Sequence, residues 1–450
     1  MAEGPTVDAL QEALEPVVGA GGINAAEWVD GYVVDGLAPT AVALPRSLDE
    51  LSGVLRVAHG LGAAVVPYGG GTMAGLGNPP ERYHLAVATG ELNRVVEYEP
   101  ADLTVTVQAG MTLRVLQHIL GEHGQMLPLD PPLAERATVG GVIAADASGP
   151  WRLMYGTVRD RLLGVTAVLT DGTVVHGGGR VVKNVAGYDL PKLFVGSLGT
   201  LGVIAEATFK VAPLPRGRGT VLAVFDSCEA AMAVALRLLA AGWTPMSLDL
   251  VGPHASRLLT EETRSEPGEA AYVLAAELGG PRRAVERMGR DLVREATAGG
   301  SREVTYLERE QRNAFWRRVR DFGRSEADPA DMIVKLAVRP TEVPAAVAAA
   351  HRAGEHAGLT PAVIARAGNG AVYTYWRSPE PEALAAAAAG LAEAARQMRG
   401  AAVVEQAPRA VKERLDVFGP AGPDLALMQR VKEALDPGRL LSPGRMVGRI

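Results

Sequence analysis

The spacing of apolar residues in the first half of the chain predicts short strands that alternate with helices. Ser47 and Glu50 have the spacing of a capping box, and the apolar positions that follow fall on one face of a helix. An earlier helix over 6–15 ends at Pro16. Other apolar runs predict a strand that starts at Val65, strands over 85–88, 95–98, 103–108, 164–170 and 173–176, a helix over 112–123 and a long strand ending near Val211.

From residue 220 onward the pattern changes to a repeated β-α-β-β-α order. The first repeat comprises strands over 221–225, 246–251 and 271–277 and helices over 227–241 and 282–296. The second comprises strands over 332–338, 362–367, 371–376 and 403–405 and helices over 344–357 and 380–398. Two such repeats predict one broad antiparallel sheet with helices on one face.

Prolines and glycines at 213–219 interrupt this pattern and mark a domain boundary. A chain of 450 residues is too long for one ordinary hydrophobic core. We therefore expect a helical segment at 1–37, a first domain at 38–215, a second domain at 216–420 and a C-terminal segment at 421–450 that returns to the first domain.

Composition and charge exclude several classes of function. A hydrophobic fraction of 48% and a charged fraction of 21% are typical of a soluble globular protein. A net charge of −6 gives no basic field for nucleic acid. The apolar runs are too short to span a bilayer and Met1–Ala20 lacks signal-peptide features, so we expect a cytoplasmic protein. The single cysteine, Cys228, excludes an internal disulfide and a cysteine-ligated iron–sulfur cluster.

A glycine-rich stretch, Val65–Gly75, is the first candidate for a binding site. A β-branched run enters a proline and then three consecutive glycines, whose backbone amides can form a concavity for a pyrophosphate. A plain turn is the alternative. The stretch is neither a P-loop nor a G-x-G-x-x-G motif, and the helix precedes the strand, which disfavours a Rossmann unit.

A second block of small residues, Ala137–Gly149, is the next candidate. Side chains this small allow a flat ligand or another stretch of backbone to approach closely. A tightly packed helix contact is the alternative for this block.

Taken in order, these blocks resemble the FAD-linked oxidases of the vanillyl-alcohol oxidase type, also called the PCMH-type FAD-binding fold. The matching pieces are Val65–Gly75, Thr138–Gly141, Tyr155–Asp160, Lys183–Leu190, Gly199–Ile204 and Ser442–Met446. Within the family the chain is most similar to the FAD-binding accessory (E-type) subunits of bacterial glycolate oxidases, through Gly124–Pro128, Val182–Leu190 and Ser442–Met446. The resemblance covers nearly the whole chain. It implies an α+β fold, with a two-part PCMH-type FAD-binding domain and an α+β cap domain that contains a large antiparallel sheet.

The resemblance also implies an FAD site. Its cofactor-binding residues would be Pro67, Tyr68, Gly69, Gly70, Gly71, Thr72, Met73, Gly75, Pro132, Thr138, Gly140, Gly141, Ala145, Ser148, Gly149, Val158, Gly202, Val203 and Ile204. Some members of the wider family attach the flavin to a histidine in or near the first loop. No histidine occurs between Gly60 and Tyr83, so we expect noncovalent FAD.

The related catalytic 2-hydroxy-acid dehydrogenases carry a His-x-Gly-Asp-Gly-Asn motif late in the cap, where histidines serve a metal and the substrate carboxylate. The matching place here is Arg366–Ala371, which retains Gly-Asn-Gly without the histidine. We therefore expect no metal site. The remaining histidine pairs, 118/123 and 351/356, are each five positions apart, so the two side chains of a pair do not share a helical face. We interpret these histidines as surface residues.

Flavin-dependent dehydrogenation needs a base for the hydroxyl proton and a cation for the carboxylate. The catalytic candidates are Arg152, Tyr155, Lys183, Tyr188, Arg317 and Arg366, and no spacing selects among them. Lys183 and Tyr188 have a second interpretation, in which they hold the flavin domain together. Arg317 lies on a predicted helix with Phe315 and Trp316, where a surface position is the alternative.

Three functions follow from these observations. The first is an FAD-binding subunit of a glycolate oxidase-like complex, working with a catalytic FAD subunit and an iron–sulfur subunit, at the inner membrane through those partners. The second is a self-sufficient FAD-dependent oxidoreductase of a small 2-hydroxy acid or alcohol. The third is a non-catalytic scaffold whose cap is a docking surface.

Overall fold

A computed structural model of the protein describes residues 4–24, 29–179, 189–260 and 271–450. Two of the predicted site residues, Lys183 and Tyr188, lie outside these ranges. The chain divides into two compact units. The first unit contains Met1–Ser148, Thr157–Leu214 and Pro420–Ile450, and the second contains Gly149–Gly156 and Pro215–Gly419.

Helices and strands are numbered in chain order. The helices are α1 (Val7–Val18), α2 (Leu48–Gly60), α3 (Leu113–Glu122), α4 (Val139–Ala145), α5 (Arg152–Tyr155), α6 (Val158–Arg161), α7 (Leu190–Phe194), α8 (Cys228–Ala240), α9 (Pro253–Thr260), α10 (Arg282–Ala298), α11 (Arg309–Asp321), α12 (Val343–Ala357), α13 (Pro381–Gln397), α14 (Arg409–Lys412) and α15 (Leu425–Leu435). The strands are β1 (Ile23–Asn24), β2 (Ala41–Ala43), β3 (Val65–Tyr68), β4 (Leu85–Ala88), β5 (Val95–Glu99), β6 (Thr104–Gln108), β7 (Gln125–Met126), β8 (Leu162–Val168), β9 (Val174–Gly178), β10 (Val203–Lys210), β11 (Ala212–Pro213), β12 (Gly217–Phe225), β13 (Ser247–Val251), β14 (Tyr272–Gly280), β15 (Glu303–Leu307), β16 (Met332–Ala337), β17 (Ala362–Arg366), β18 (Ala371–Trp376) and β19 (Ala401–Gln406). None of the helices in the described ranges is long and apolar enough to cross a bilayer.

The first sheet of the first unit has the strand order β1-β2-β4-β3, with β2 and β3 both parallel to β4. Helix α2 begins as predicted, because Ser47 Oγ accepts a hydrogen bond from the Glu50 amide at 3.1 Å. Its apolar stripe packs with α1 and the sheet in one core, represented by Leu14, Leu55 and Leu85. Strand β3 therefore packs on this core. It ends at Tyr68, where the glycine-rich loop starts.

The second sheet of this unit is antiparallel, in the order β5-β6-β10-β8-β9. Its own core is formed mainly by residues of β6, α3 and β10, including Val107, Leu116 and Phe209. Helix α4 packs against β10 and belongs to the same core through Val142 and Ile143. The small-residue block is therefore a short helix fixed on the second sheet.

The second unit contains one eight-stranded antiparallel sheet, in the order β15-β12-β14-β13-β17-β18-β16-β19. Helices α8, α10, α12 and α13 cover one face over a large apolar core that includes Phe225 and Trp376. The predicted broad antiparallel sheet is confirmed. The expectation that helices lie on one face only was wrong, because α9 and α11 pack on the opposite face through Ala255, Trp316 and Val319.

Candidate functional site

A cavity in the first unit is formed where the loop after β3 meets the start of α4 and the start of β10. It contains about 800 Å³ of space, part of it open to solvent. It is lined by Val34, Val66, Pro67, Tyr68, Gly69, Gly70, Gly71, Thr72, Met73, Ala74, Thr89, Thr138, Gly140, Gly141, Ala144, Ala145, Leu198, Gly199, Gly202, Val203, Ile204 and Arg445.

The glycines of the loop have a packing function that sequence patterns alone do not reveal. A Cβ on Gly70 would overlap the carbonyl oxygen of Arg136, and one on Gly69 would overlap Thr138 Oγ1. Gly71 has φ of 69°, in the left-handed region that favours glycine. The loop therefore lies directly on the chain that leads into α4, and these two predicted blocks form adjacent walls of one cavity.

Helix α4 forms the second wall. Thr138 precedes the helix, and its Oγ1 accepts a hydrogen bond from the Gly141 amide at 3.4 Å. The Gly140 amide donates to the Ala109 carbonyl at 2.7 Å, and a Cβ on Gly140 would lie 2.8 Å from the Ala109 Cβ. Gly140 is thus fixed by Ala109, the residue that follows β6, and the small side chains of α4 leave the cavity open.

The third wall, residues 198–204, is held by a buried lysine of α15. Lys432 is 3% exposed, and its Nζ donates to the carbonyl oxygens of Thr200 and Leu441, each at 2.7 Å. It also pairs with Asp436 at 2.6 Å. The C-terminal segment therefore fixes the backbone of the wall that Val203 and Ile204 complete.

Tyr68 has a partly buried phenol at the junction of β3 and the loop. Burial raises the pKa of Tyr68, as does the nearby Tyr32, while Arg136 lowers it. The rings of Tyr32 and Tyr68 are in edge contact, with centroids 4.9 Å apart. Tyr68 is thus neutral near pH 7 and can donate a hydrogen bond.

Most of the predicted cofactor-binding residues line this cavity, and five do not: Gly75, Pro132, Ser148, Gly149 and Val158. Val158 is fully buried in the core of the second sheet, so its side chain packs rather than faces the cavity. Gly149 belongs to the second unit. The FAD-binding role of each residue remains a prediction.

Sequence reasoning missed several lining residues: Val34, Val66, Thr89, Ala144, Leu198, Gly199 and Arg445. Val66, Ala144 and Gly199 occur inside stretches that were singled out as motifs, so proximity in sequence was an available signal. Arg445 also lies in a matching motif, yet it is separated from the loop by about 370 positions. Nothing local in the sequence connects Val34 or Arg445 with the glycines.

The second unit has buried ionisable groups on the sheet face opposite the large core. Cross-strand pairing places Asp249 beside Arg366 and Ser247 beside Glu277 on this face. Asp249 and Arg366 form a buried ion pair, and the Arg366 guanidinium carbon lies 5.3 Å from the centroid of the Tyr373 ring. We call Asp249, Glu277 and Arg366, with their neighbours Ser247 and Tyr373, the charged face.

The segment around α5 adds further groups to this face. Trp151 Nε1 donates to Glu277 at 2.8 Å, and Arg218 forms an ion pair with the same carboxylate. Arg152 and Tyr155 follow on α5, and the charge of Arg152 acts on Lys335 of β16. The structure therefore places these two catalytic candidates in the same unit as Arg366. Arg317 is exposed on α11, away from the buried side of that helix.

Asp249 is the most perturbed acid of the charged face. Burial raises the pKa of Asp249 to about 6, Arg366 opposes this shift and Glu277 adds to it. Its Oδ1 atom and Ser247 Oγ have no hydrogen-bond partner in the part of the chain that the structure describes. The carboxylate can therefore accept a proton or a hydrogen bond. Over the same residues, no cluster of three or more histidine, cysteine or acidic side chains could hold a metal ion.

Two family models match the chain. The FAD binding domain matches residues 39–178, and the C-terminal domain of FAD linked oxidases matches residues 214–406 and 414–446. Among curated relatives, the glycolate oxidase subunit GlcD of Bacillus subtilis is 28% identical over 423 residues, which cover 91% of this chain and 89% of the relative. A D-lactate dehydrogenase of Archaeoglobus fulgidus is 35% identical over 241 residues, covering 52% and 54% of the two chains.

Solved structures show the same fold at low sequence identity. p-Cresol methylhydroxylase with bound substrate has a TM-score of 0.78 at 18% identity, with 97% of this chain and 96% of that chain covered. Alkyldihydroxyacetonephosphate synthase has a TM-score of 0.76 at 16% identity, with 99% and 87% covered. The predicted PCMH-type fold is thereby confirmed, as are the FAD cofactor and the oxidoreductase class. The chain belongs to the family of FAD-linked oxidases.

Proposed function

We propose that this chain binds FAD noncovalently in the cavity of the first unit and acts in the oxidation of a small 2-hydroxy acid, as the FAD-binding subunit of a glycolate oxidase-like complex. The observation that carries the proposal is the joining of the loop at Tyr68–Thr72 with Thr138, Gly140 and Gly141 in one cavity. Backbone amides in such a loop suit a diphosphate. The absence of histidine between Gly60 and Tyr83 favours noncovalent attachment.

The substrate class and the complex are supported by the named relatives. A glycolate oxidase subunit matches along nearly the full length of both chains, and D-lactate dehydrogenases match over about half of this chain. Glycolate and D-lactate are both small 2-hydroxy acids. The chain has one cysteine, so iron–sulfur centres that take electrons onward would belong to a partner.

The charged face contains the kinds of group that such a reaction needs. When bound, FAD would supply the oxidising chemistry. Asp249 has an open Oδ1 atom that can accept a proton, and a pKa near 6 leaves its carboxyl group deprotonated at neutral pH. Arg366 stabilises the negative charge of Asp249. Arg152 and Tyr155 remain catalytic candidates.

The proposal is tested with the tagged full-length chain purified from its native host. We expect a yellow protein that releases free FAD on acid precipitation, and co-purification of a second flavoprotein and an iron–sulfur protein. Flavin that stays attached to the precipitated chain would contradict noncovalent binding. A chain that purifies alone, at any salt concentration, would contradict the complex.

A self-sufficient oxidoreductase is the second candidate, favoured by relatives that are themselves named dehydrogenases. One is the mitochondrial D-lactate dehydrogenase [cytochrome] 1 of Saccharomyces cerevisiae, 34% identical over 230 residues that cover 49% of this chain and 38% of the relative. Anaerobic bleaching of the flavin in the isolated chain by glycolate or D-lactate would favour this candidate. A flavin that bleaches only when the partners are added would favour the complex.

A further inference from the structure

Arg445 differs from every other residue that lines the cavity in the described ranges, because it alone carries a charge. It belongs to the C-terminal Ser442–Met446 motif and is 4% exposed. FAD carries two negative charges on its diphosphate. The remaining lining groups offer amides and hydroxyls to those charges, but no cation.

One nitrogen of the guanidinium anchors Arg445 to the chain just beyond the glycines. Nη2 donates to the carbonyl oxygen of Ala74 at 2.7 Å and to that of Leu76. The backbone strengthens this contact, since the Asn78 amide donates to the Arg445 carbonyl at 3.0 Å. The guanidinium is thus fixed against the same loop that supplies the amides.

The other two nitrogens of the guanidinium are Nε and Nη1. Nε and Nη1 are buried and have no hydrogen-bond partner among the residues that the structure covers. Burial lowers the pKa of Arg445, whereas Asp35 and Tyr83 act in the opposite direction. A guanidinium nevertheless stays protonated at neutral pH. Leaving buried donors of a charged group unpaired is costly, so this arrangement indicates an anionic ligand.

We propose that Arg445 binds the diphosphate of FAD, with Nε and Nη1 donating to phosphate oxygens while Nη2 stays on the loop. The Nε–H and Nη1–H groups lie on different edges of the planar guanidinium, so each can donate to a separate oxygen of the diphosphate, in fixed directions that a lysine ammonium does not provide. This inference rests on the proposed noncovalent binding of FAD in the cavity. It adds a cation from the far end of the chain to a phosphate loop that is otherwise built of backbone.

The test compares FAD with riboflavin, which has the same ring system and no phosphate. Flavin-free full-length protein is titrated with each ligand by fluorescence quenching, for the wild type, Arg445→Met and Arg445→Lys. Hydrogen bonds to charged groups contribute roughly 1.5–3 kcal/mol. We therefore expect Arg445→Met to weaken FAD binding about 10- to 150-fold and to leave riboflavin binding within about twofold. Arg445→Lys should recover part of the loss.

Arg82→Met is the matched control. Arg82 also joins the loop region to the C-terminal segment, through a hydrogen bond from Nη2 to the Arg439 carbonyl at 3.0 Å, but it is exposed and does not line the cavity. Its FAD affinity should equal that of the wild type.

A purely structural Arg445 would give a different result. In Arg445→Met, the affinities for FAD and riboflavin would then fall by the same factor, or the FAD affinity would stay unchanged while the melting temperature fell. Either result would overturn the inference. If Arg445→Met does not fold, Arg445→Lys decides the question. The ratio of its FAD affinity to its riboflavin affinity must then be at least severalfold lower than that of the wild type. Wild-type protein that binds no FAD would instead contradict the proposed function.

Discussion

The cavity of the first unit and the charged face of the second are built by opposite means. The cavity consists of backbone and small side chains that approach closely, as where Gly70 lies on the Arg136 carbonyl. The charged face consists of long ionisable side chains on different strands, as where Asp249 pairs with Arg366. The cavity depends on positions that lack a side chain, and the charged face depends on the pairing of opposite charges.

This difference predicts different responses to substitution. A side chain added in the cavity displaces backbone and affects the ligand that fits there. A charge removed from the charged face leaves its partner buried and unpaired, so the fold itself is affected. Stability measurements and FAD affinity should therefore separate the two regions.

The largest effect is expected from Arg366→Met. This change leaves the Asp249 carboxylate buried without its cation, and breaking a buried pair in this way costs about 3–5 kcal/mol of unfolding free energy. The double variant Asp249→Leu with Arg366→Met should recover most of the loss, since a pair of apolar residues leaves no charge buried. Urea unfolding measures all the variants.

Arg377→Met is the control for this prediction. Arg377 and Asp328 form an ion pair in the same unit, but their side chains are 50% and 55% exposed. Its loss should change the unfolding free energy by less than about 1 kcal/mol. Equal losses in Arg366→Met and Arg377→Met would show that burial does not set the strength of these pairs.

The next effect concerns pH and Asp249. Because the folded state holds a proton on Asp249 with a pKa of about 6, against 3.8 for the unperturbed group, the folded protein binds that proton more tightly than the unfolded chain. The stabilisation is present below about pH 4 and is lost as pH rises to about 6, at roughly 1.4 kcal/mol per pH unit.

Asp249→Asn should remove this slope. The unfolding free energy of the variant, relative to that of the wild type, should thus rise between pH 4 and pH 6 and stay constant above that range. Parallel curves for the two proteins would mean that Asp249 does not titrate there.

Gly70→Ala should have a smaller effect that falls mainly on the cofactor. The new methyl group would overlap the Arg136 carbonyl, so the loop must move away from α4. Overpacking of this kind costs about 1–3 kcal/mol, which corresponds to a rise of about 5- to 150-fold in the Kd for FAD. Gly90→Ala is the control, because a Cβ there meets nothing within 4 Å. Unchanged FAD affinity in Gly70→Ala would indicate that FAD binds elsewhere.

The two regions also differ in what the sequence could predict. The glycine loop, the Thr138–Gly141 block and Val203 and Ile204 are short local patterns, and the resemblance of their order to FAD-linked oxidases led us to expect them in one site; they line one cavity. The repeated strands and helices of the second unit were likewise predicted from periodicity. Local spacing carries this information because helices and strands are themselves local.

The charged face could not be predicted in the same way. Asp249 and Arg366 are 117 positions apart and meet only because β13 and β17 are neighbours in the sheet. Arg366 was selected as a candidate through a motif, but its partner has no sequence signal. Arg445 presents the same difficulty in the first unit. Side chains that act through distant strand or segment pairing become visible only once the topology is known.

Two threonine caps in the first unit offer the finest test of the comparison. Thr138 caps α4 and Thr112 caps α3, each by accepting an amide hydrogen bond at 3.4 Å, and their backbones form a β-bridge with each other. Replacing either threonine with alanine should cost about 1 kcal/mol of stability. Only Thr138 lines the cavity, so only Thr138→Ala should also weaken FAD binding, by about twofold to fivefold for a cap that positions the amides of α4. Equal FAD affinity in the two variants would mean that the cavity depends on the backbone path of this segment and not on the side chain of Thr138.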